Sequence, residues 1–349
     1  MLRIGPVEIG FPVVQAALSG YSDLPMRRVA RWHGAVYALN GAVLDTIVLT
    51  PGRKQRAITQ VAADDHPVGG QLMGAQPESF ALAAEAMVEA GYDVIDINFG
   101  CPVRKVLGRC RGGFLLSDPA TAIEIMRRVR EAVPPRTPVT LKMRRGMDNS
   151  GESRRNFFRI FDAAMELGLA AVTVHGRTVE QRYVGPSRWE FLAEVKRYAG
   201  TRTILGSGDL FSAADCVRMI EATGVDGVTV ARGCIGNPWV FAECRALLAG
   251  DELPPPPDVP EQGRVIRQHM ELSLELYGER LAPRLMRKFG IKYSELHPAG
   301  LAVRDAFIRC GTLEDWHAVM NEWYAMDREW PPVERRRGPG ALIAAGAEV

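Results

Sequence analysis

A lone thiol stands at the end of a predicted strand in the segment DINFGCP, residues 96–102. Cys101 lies between Gly100 and Pro102, two residues that define the path of the backbone around it. A thiol with an ordinary pKa of ~8.5 is mostly protonated at neutral pH, so Cys101 could donate a proton as a general acid. The alternative is a small buried side chain, which is a common fate of free cysteines.

Polar and glycine-rich residues follow other predicted strands in the same way. They are Gln71 and Gly74, Lys142 and Arg144, His175 to Thr178, Gly206 to Asp209, and Ala231 to Gly233. The backbone N–H groups of small residues bind anions, and an arginine can add a bidentate contact. Six strands that end in this way indicate a binding site rather than a series of turns and caps.

Eight short apolar segments alternate with amphipathic helical ones. The predicted strands are Val13–Leu18, Ala35–Leu39, Val68–Met73, Val94–Ile97, Val139–Met143, Ala171–Val174, Thr203–Leu205 and Gly227–Val230. Their number and their span of about 240 residues predict an α/β fold, a closed (β/α)8 TIM barrel that keeps its chemistry at the carboxyl ends of the strands. A doubly wound sheet is the alternative, but no GxGxxG motif opens its first turn.

The barrel is predicted to occupy residues 1–250 and to be followed by a proline-rich linker, DELPPPPDVP, at 251–260. Residues 261–330 have helical periodicity and predict a small helical domain that is rich in arginine and lysine. Cations on helices bind phosphates, although a solvated helix face is the plainer interpretation. The tail, 331–349, is predicted to be disordered.

The bulk properties restrict the class of protein. A net charge of +2 neither requires nor excludes a nucleic-acid partner. The sequence has no signal-peptide pattern, no apolar run long enough to span a membrane and no metal-binding spacing of histidines or cysteines. Six cysteines without a CxxC pair suit a reduced, cytoplasmic protein. We expect a monomer without metal.

Several segments, in order, resemble those of the tRNA-dihydrouridine synthases over roughly residues 11–325. They are DINFGCPVRKV, LKMRRG, VHGRTVEQRYVGPSRW, GSGDL, ARGCIGNPWVF and, in the helical domain, LYGERLAPRLMRKFGIKY. The resemblance implies a TIM barrel that binds FMN, uses NADPH as reductant and reduces a uridine of RNA, expected to be tRNA, to 5,6-dihydrouridine. A hydride goes to C6 of the uracil, and Cys101 protonates C5.

The resemblance also implies the roles of individual residues. The residues expected at the cofactor are Ala17, Leu18, Ser19, Gln71, Lys142, His175, Ser207, Gly208, Asp209, Ala231 and Arg232. The residues expected at the substrate are Asn98, Arg144 and Arg177, with the Asn98 amide facing the edge of the uracil. His175 could instead be a satisfied core histidine, and Asn98 a turn residue.

Three departures from the family pattern concern the site. Ala16-Ala17-Leu18 replaces Ala-Pro-Met after the first strand, and Ala38-Leu39-Asn40 lacks the acid of the second. Cys110 adds a second thiol in the loop after Cys101. Two alternative functions remain open: a flavin barrel that acts on free pyrimidines, and a barrel that has lost catalysis and only binds RNA.

Overall fold

The computed structural model describes residues 1–325 and 328–335. Its strands are β1 (Arg3–Ile4), β2 (Val7–Glu8), β3 (Val13–Gln15), β4 (Ala38–Leu39), β5 (Val43–Leu44), β6 (Val68–Met73), β7 (Val94–Phe99), β8 (Val139–Arg144), β9 (Ala171–His175), β10 (Ile204–Ser207) and β11 (Gly227–Val230). β1 and β2 form an antiparallel hairpin, and the other strands pair in parallel in the order β4-β3-β11-β10-β9-β8-β7-β6-β5.

The sheet closes on itself because β4 also pairs with β6, with Ala38 opposite Val68. The predicted (β/α)8 barrel is therefore confirmed, and the doubly wound alternative is wrong. All eight predicted strands are present, but the first ends at Gln15 instead of Leu18. The chain leaves the sheet there because the Ser22 hydroxyl donates to the Ala16 carbonyl at 3.0 Å and accepts the Leu18 N–H at 2.8 Å.

The helices are α1 (Leu24–Trp32), α2 (Asp45–Val48), α3 (Arg53–Thr59), α4 (Pro77–Glu89), α5 (Arg104–Leu107), α6 (Pro119–Ala132), α7 (Gly151–Glu166), α8 (Trp189–Ala199), α9 (Ala213–Thr223), α10 (Val240–Ala249), α11 (Val259–Tyr277), α12 (Ala282–Tyr293), α13 (Gly300–Arg309) and α14 (Leu313–Trp323). Local signals set several of their starts. Asp118 accepts the Thr121 N–H in front of α6, and Ser212 and Asp215 form a capping box on α9.

Side chains of the barrel strands alternate between the outer helices and the interior. At the amino-terminal end the interior is apolar and is closed by the hairpin; this cluster contains Leu2, Ile4, Val14, Val94, Ala171 and Leu205. Further along the strands the same alternation places polar groups inside, namely Gln71, Asp96, Asn98, Thr140, Lys142, Thr173, His175 and Ser207. The polarity of the interior therefore rises towards the carboxyl ends of the strands, the barrel mouth.

Helices α11 to α14 follow an irregular segment at 251–258, and α11 begins within the predicted linker because Asp258 caps it by accepting the Glu261 N–H at 2.7 Å. The last helix, α14, ends at Trp323, before the end of the segment 261–330 that was predicted to be helical. One continuous apolar core includes Phe241 of the barrel and Phe289 and Trp316 of the later helices. The division into domains thus remains a prediction, and residues 336–349 of the predicted disordered tail lie outside the described residues.

In the part of the chain that the structure describes, no helix is both long and apolar enough to cross a bilayer.

Candidate active site

Cys101 lies two residues after the end of β7 and is half-buried beneath the next loop. The Gly113 N–H donates to the Cys101 carbonyl at 3.0 Å, and a Cβ at Gly112 would lie 2.8 Å from the Cβ of Cys101. Only glycine therefore allows this loop to close over the thiol. Burial raises the pKa of Cys101, against the opposing effects of the Val103 N–H and of nearby cations. The thiol is protonated at neutral pH, as a general acid must be.

A chain of hydrogen bonds runs through the barrel below the thiol. Thr140 Oγ1 and Gln71 Nε2 each donate to the Asp96 carboxylate at 2.6 Å. Gln71 Oε1 accepts from Asn98 Nδ2 at 2.6 Å, and Asn98 Oδ1 accepts the Gly100 N–H at 2.9 Å. Because the carboxylate only accepts when ionised, it sets the orientation of both amides. The second N–H of the Asn98 amide is then left for another acceptor.

Sequence reasoning missed Asn40 as a member of this site. Its Oδ1 accepts the Gln71 N–H at 2.7 Å, so it fixes the backbone of β6 where Gln71 turns inward. The available signal was its position, since it is a polar residue directly after β4, at the carboxyl end where the other strands also have their polar residues.

The strand register brings five predicted site residues together on neighbouring strands. Asn98 lies opposite Lys142, Arg144 lies opposite His175, and His175 lies opposite Ser207 on the next strand. Neighbouring parallel strands are about 4.8 Å apart, so these side chains share one wall of the mouth.

This wall lowers the pKa values of both Lys142 and His175. Burial and the charge of Arg144 lower the pKa of Lys142 to about 8. Burial, followed by the charges of Arg144, Lys142, Arg177 and Arg232, lowers the pKa of His175 well below its usual value. His175 is therefore neutral, and its Nδ1 accepts the Arg177 N–H at 3.1 Å. The proton must then be on Nε2, which can donate.

Arg144 is committed to backbone carbonyls. Its guanidinium donates to the Gly100 carbonyl at 2.9 Å, to Thr178 at 2.8 Å and to Arg182 at 2.7 Å. It therefore ties the loop after β9 to the residue beside Cys101. The predicted contact of Arg144 with the substrate stays a prediction.

Arg177 and Asp209 form a partly buried ion pair, with Nη2 at 2.8 Å from both carboxylate oxygens. Arg177 also donates to the Gly185 carbonyl at 2.8 Å, and Asp209 accepts the Ser187 N–H at 2.7 Å. These contacts hold the loops after β9 and β10 together. The substrate role of Arg177 and the cofactor role of Asp209 stay predictions.

The loops after β10 and β11 approach so closely that larger residues would not fit. A Cβ at Gly233 would lie 2.2 Å from the Leu210 carbonyl oxygen, and Gly208 has a φ of +114°. Arg232 lies over the rings of Tyr183 and Phe211 at 4.9 and 5.1 Å. The result is a compact edge of small residues, Ser207-Gly208 and Ala231, with a cation beside it.

The loop after β3 completes the mouth next to Ala231. The Ala16 N–H donates to the Val230 carbonyl at 2.9 Å, Ala17 and Leu18 are half-buried, and Ser19 is exposed. Cys110 is exposed and has a φ of +55°, in the loop that closes over Cys101.

Residues 14–325 match the family model described as dihydrouridine synthase (Dus). The chain belongs to the dihydrouridine synthase family. A probable tRNA-dihydrouridine synthase from Mycobacterium tuberculosis is 35% identical over 329 residues, which is 92% of this chain and 84% of that protein. The tRNA-dihydrouridine synthase B of Pseudomonas aeruginosa is 35% identical over 311 residues, 88% of this chain and 91% of that protein.

Solved structures share the fold of this dihydrouridine synthase at low identity. Histamine dehydrogenase from Rhizobium sp. 4-9 matches 94% of this chain and 64% of its own, with a TM-score of 0.55 and 14% identity. Morphinone reductase matches 73% of this chain and 90% of its own, with a TM-score of 0.51 and 14% identity. The family match confirms the enzyme class inferred from the sequence motifs, a flavin-dependent oxidoreductase that forms dihydrouridine.

Proposed function

We propose that this enzyme reduces a uridine of tRNA to 5,6-dihydrouridine in the cytoplasm, as a monomer, with FMN as its flavin and NADPH as the source of electrons. The observation that carries the proposal is a protonated thiol, Cys101, at the edge of a mouth lined by the cations Lys142, Arg144, Arg177 and Arg232. The relatives named as tRNA-dihydrouridine synthases support tRNA as the substrate.

The residues of the mouth fit an anionic, electron-rich cofactor. Among the residues that the structure describes, no hydrogen bond or ion pair of the Lys142 ammonium is found, and the N–H of His175 Nε2 also has no acceptor. With Arg144, Arg177 and Arg232 close by, these donors form a positive field in a partly buried site. Lys142 and Gln71 would hold the pyrimidine edge of FMN, and Ser207, Gly208, Ala231 and Arg232 its phosphate.

Bound FMN, reduced by NADPH, would supply the hydride that C6 of the uracil receives. The chain itself supplies the proton: the S–H bond of Cys101 breaks as a C–H bond forms at C5, and the charge left on sulfur is stabilised by Lys142 and Arg144. Solvent returns the proton to the thiolate. The free N–H of Asn98 holds the edge of the base, which must have left its stack to reach the thiol.

The test is the formation of dihydrouridine, measured by mass spectrometry in unmodified tRNA incubated with the protein, FMN and NADPH. The loss of a general acid typically lowers the reaction rate by about 10²–10⁴-fold. We therefore expect Cys101→Ala to form dihydrouridine more slowly by that factor and to bind FMN with unchanged affinity. Cys110→Ala is the matched control, because Cys110 is an exposed thiol in the neighbouring loop.

Three outcomes would contradict the proposal. If Cys101→Ala still formed dihydrouridine and Cys110→Ala did not, the general acid would be Cys110. Reduction of free uracil or uridine, with none in tRNA, would favour an oxidoreductase of free pyrimidines. If the protein bound no FMN, the alternative of a barrel that has lost catalysis and only binds RNA would be favoured.

A further inference from the structure

The acid Asp96 lies inside the barrel, one layer of side chains below Lys142. It faces inward from β7, and only 3% of its surface is exposed. Thr140 Oγ1 donates to one of its carboxylate oxygens and Gln71 Nε2 to the other, both at 2.6 Å. Burying a carboxylate costs free energy even when hydrogen bonds satisfy it. The charge of Asp96 therefore needs a reason beyond the packing of the barrel.

The hydrogen bonds of Asp96 need an acceptor but not a charge. The far end of their chain is the Gly100 N–H, a backbone group that can only donate, and it donates to Asn98 Oδ1. Asn98 Nδ2 then donates to Gln71 Oε1, so Gln71 Nε2 must find an acceptor at residue 96. The carbonyl oxygen of an asparagine would serve there, and its NH2 group could donate to Thr140 Oγ1. An amide would thus fit the network and avoid the cost of a buried charge.

The strand register places Asp96 diagonally opposite Lys142. Asp96 pairs with Thr140, and Asn98 pairs with Lys142 on the same neighbouring strand, β8. With strands about 4.8 Å apart and a rise of about 3.3 Å per residue, the Cα atoms of Asp96 and Lys142 are about 8 Å apart. Within the described part of the chain no ion pair joins the two side chains, although each acts on the charge of the other. The ammonium thus lies in the field of the carboxylate and keeps its N–H groups free.

Asp96 is the source of negative charge at Lys142. The titrating and charged groups that face the ammonium are Asp96 and Cys101 from β7 and the loop after it, Arg144 from its own strand, and His175 from β9. Burial, and after it the charge of Arg144, lowers the pKa of Lys142. Cys101 is protonated and His175 is neutral near pH 7, so the charge that opposes these effects comes from Asp96.

We propose that Asp96 is a positioning residue of the flavin site, a buried counter-charge that keeps Lys142 an ammonium without occupying its N–H groups. This inference rests on the proposed function, because the pyrimidine edge of FMN is the acceptor that the ammonium would meet there. It explains why residue 96 is an acid where an amide would satisfy the hydrogen bonds. In this role Asp96 acts through Lys142 and need not touch the flavin.

The test is a pH titration of Lys142 in the full-length protein, freed of flavin. The chain has six lysines, so lysine labelled with ¹³C at Cε gives few NMR signals, and the signal missing in Lys142→Arg belongs to Lys142. Asp96→Asn removes the charge and keeps an acceptor for Gln71. Thr140→Val breaks the hydrogen bond to Asp96 and keeps the charge, so it separates the effect of the network from that of the charge.

Asp93→Asn is the matched control for net charge. Asp93 lies just before β7, at the opposite, amino-terminal end of this strand, and its carboxylate also makes two hydrogen bonds, to the Val68 N–H at 2.6 Å and to His66 Nδ1 at 2.8 Å. The Kd of FMN at pH 6 and pH 8 and the thermal unfolding are measured for the same proteins.

We expect the Lys142 signal to titrate with a midpoint at about 8 in the wild type, in Thr140→Val and in Asp93→Asn. In Asp96→Asn the midpoint should lie at least about one pH unit lower, because a nearby opposite charge shifts a pKa by about 1–3 units. A fall of about one unit leaves roughly a tenth of Lys142 charged at pH 8 instead of about half. The FMN affinity of Asp96→Asn should therefore fall about fivefold at pH 8 and should not fall at pH 6.

Equal midpoints in Asp96→Asn and the wild type would overturn the inference. An equal shift in Thr140→Val would overturn it as well, because the network rather than the charge would then act on Lys142. So would a loss of FMN affinity in Asp96→Asn that is as large at pH 6 as at pH 8. A failure of Asp96→Asn to fold would also contradict it, since the network itself would then need the acid.

Failure of the proposed function is distinguishable from failure of this inference, because the NMR titration needs no flavin. If Lys142 titrates as expected in the wild type and in the three variants but none of these proteins binds FMN, the flavin proposal is refuted and Asp96 remains the counter-charge of Lys142.

Discussion

Burial moves two titrating residues of the mouth towards their neutral forms. It raises the pKa of the Cys101 thiol, which keeps the proton on sulfur, and it lowers the pKa of the Lys142 ammonium to about 8. The same positive surroundings act on both groups in opposite ways, since cations favour the thiolate and disfavour the ammonium. The site thus keeps an acid protonated while it holds a cation that an anionic ligand would stabilise.

This state of Lys142 predicts how FMN binding depends on pH. The pyrimidine edge of FMN accepts hydrogen bonds from the charged form of Lys142 and thereby raises its pKa. Binding therefore takes up a proton above pH about 8, and the affinity falls as the pH rises, by up to about tenfold per pH unit. Below pH about 8 Lys142 is already charged, so the FMN affinity should not change with pH there. The measurement is the Kd of FMN at pH 7, 8 and 9, from quenching of flavin fluorescence.

Two variants control for other titrations. Lys142→Arg keeps its charge from pH 7 to 9, so the FMN affinity of this variant should no longer depend on pH. Lys142→Met should bind FMN more weakly at pH 7, and its affinity should also no longer depend on pH. A slope in Lys142→Met equal to that of the wild type would assign the dependence to another group.

At the scale of elements, the loop between β3 and α1 receives support that its own sequence lacks. This loop has lost the proline and methionine of the family pattern, and it is held by Ser22 from within. From outside, Tyr277 Oη of α11 donates to Asp23 Oδ2 at 2.9 Å, and Lys288 of α12 donates to the Gly20 carbonyl. Tyr21 packs edge-on against Phe289 at 5.3 Å. The later helices therefore brace a loop of the mouth.

Removing one hydroxyl tests this brace. Tyr277→Phe leaves Asp23 Oδ2 without a donor, while Oδ1 keeps the Met26 N–H, and we expect a loss of about 1–3 kcal/mol in the free energy of unfolding. If about 1 kcal/mol of this loss is the free energy that kept the β3–α1 loop ordered, FMN binding must supply it, and the FMN affinity falls about fivefold. Urea unfolding and the FMN Kd measure the two effects.

Tyr198→Phe is the matched control, since Tyr198 Oη donates to Asp162 at 2.9 Å on the exposed outer surface. It should change stability by less than about 0.5 kcal/mol and leave FMN binding unchanged. Equal effects of the two substitutions would contradict the brace.

At the scale of the molecule, barrel and helical segment share one core. Helix α11 packs on α1, Trp239 Nε1 donates to Glu261 at 2.7 Å, and Arg335 donates to Glu243 at 2.7 Å. Apolar residues on both sides, such as Phe241 and Phe289, belong to the same buried cluster. Separating the two parts would expose apolar surface on each.

We therefore expect the full chain to unfold in a single transition. Far-UV circular dichroism and tryptophan fluorescence should give coincident urea curves, because tryptophans lie in both parts, at Trp239 of the barrel and Trp316 of the helices. Two separate transitions would show instead that the helical segment is an independent domain. In that case a chain ending before α11 should remain folded.

The local pattern of the sequence determined the eight strands and the residues at their ends. Strands such as Val68–Met73 are short, apolar and bounded by turn residues, and in a parallel barrel every strand delivers its end to the same rim. Cys101, Lys142 and His175 could therefore be placed at one mouth from sequence alone, because their position depends only on where each strand stops.

Only the tertiary structure decided how these residues are held and charged. Tyr277 and Asp23 are 254 residues apart, and Arg144 reaches the Thr178 and Arg182 carbonyls across a loop. The low pKa of His175 results from burial and then from four cations, two on β8 and two in the loops after β9 and β11. Side-chain hydrogen bonds, burial and electrostatic fields depend on distances in space, which the spacing of residues along the chain does not contain.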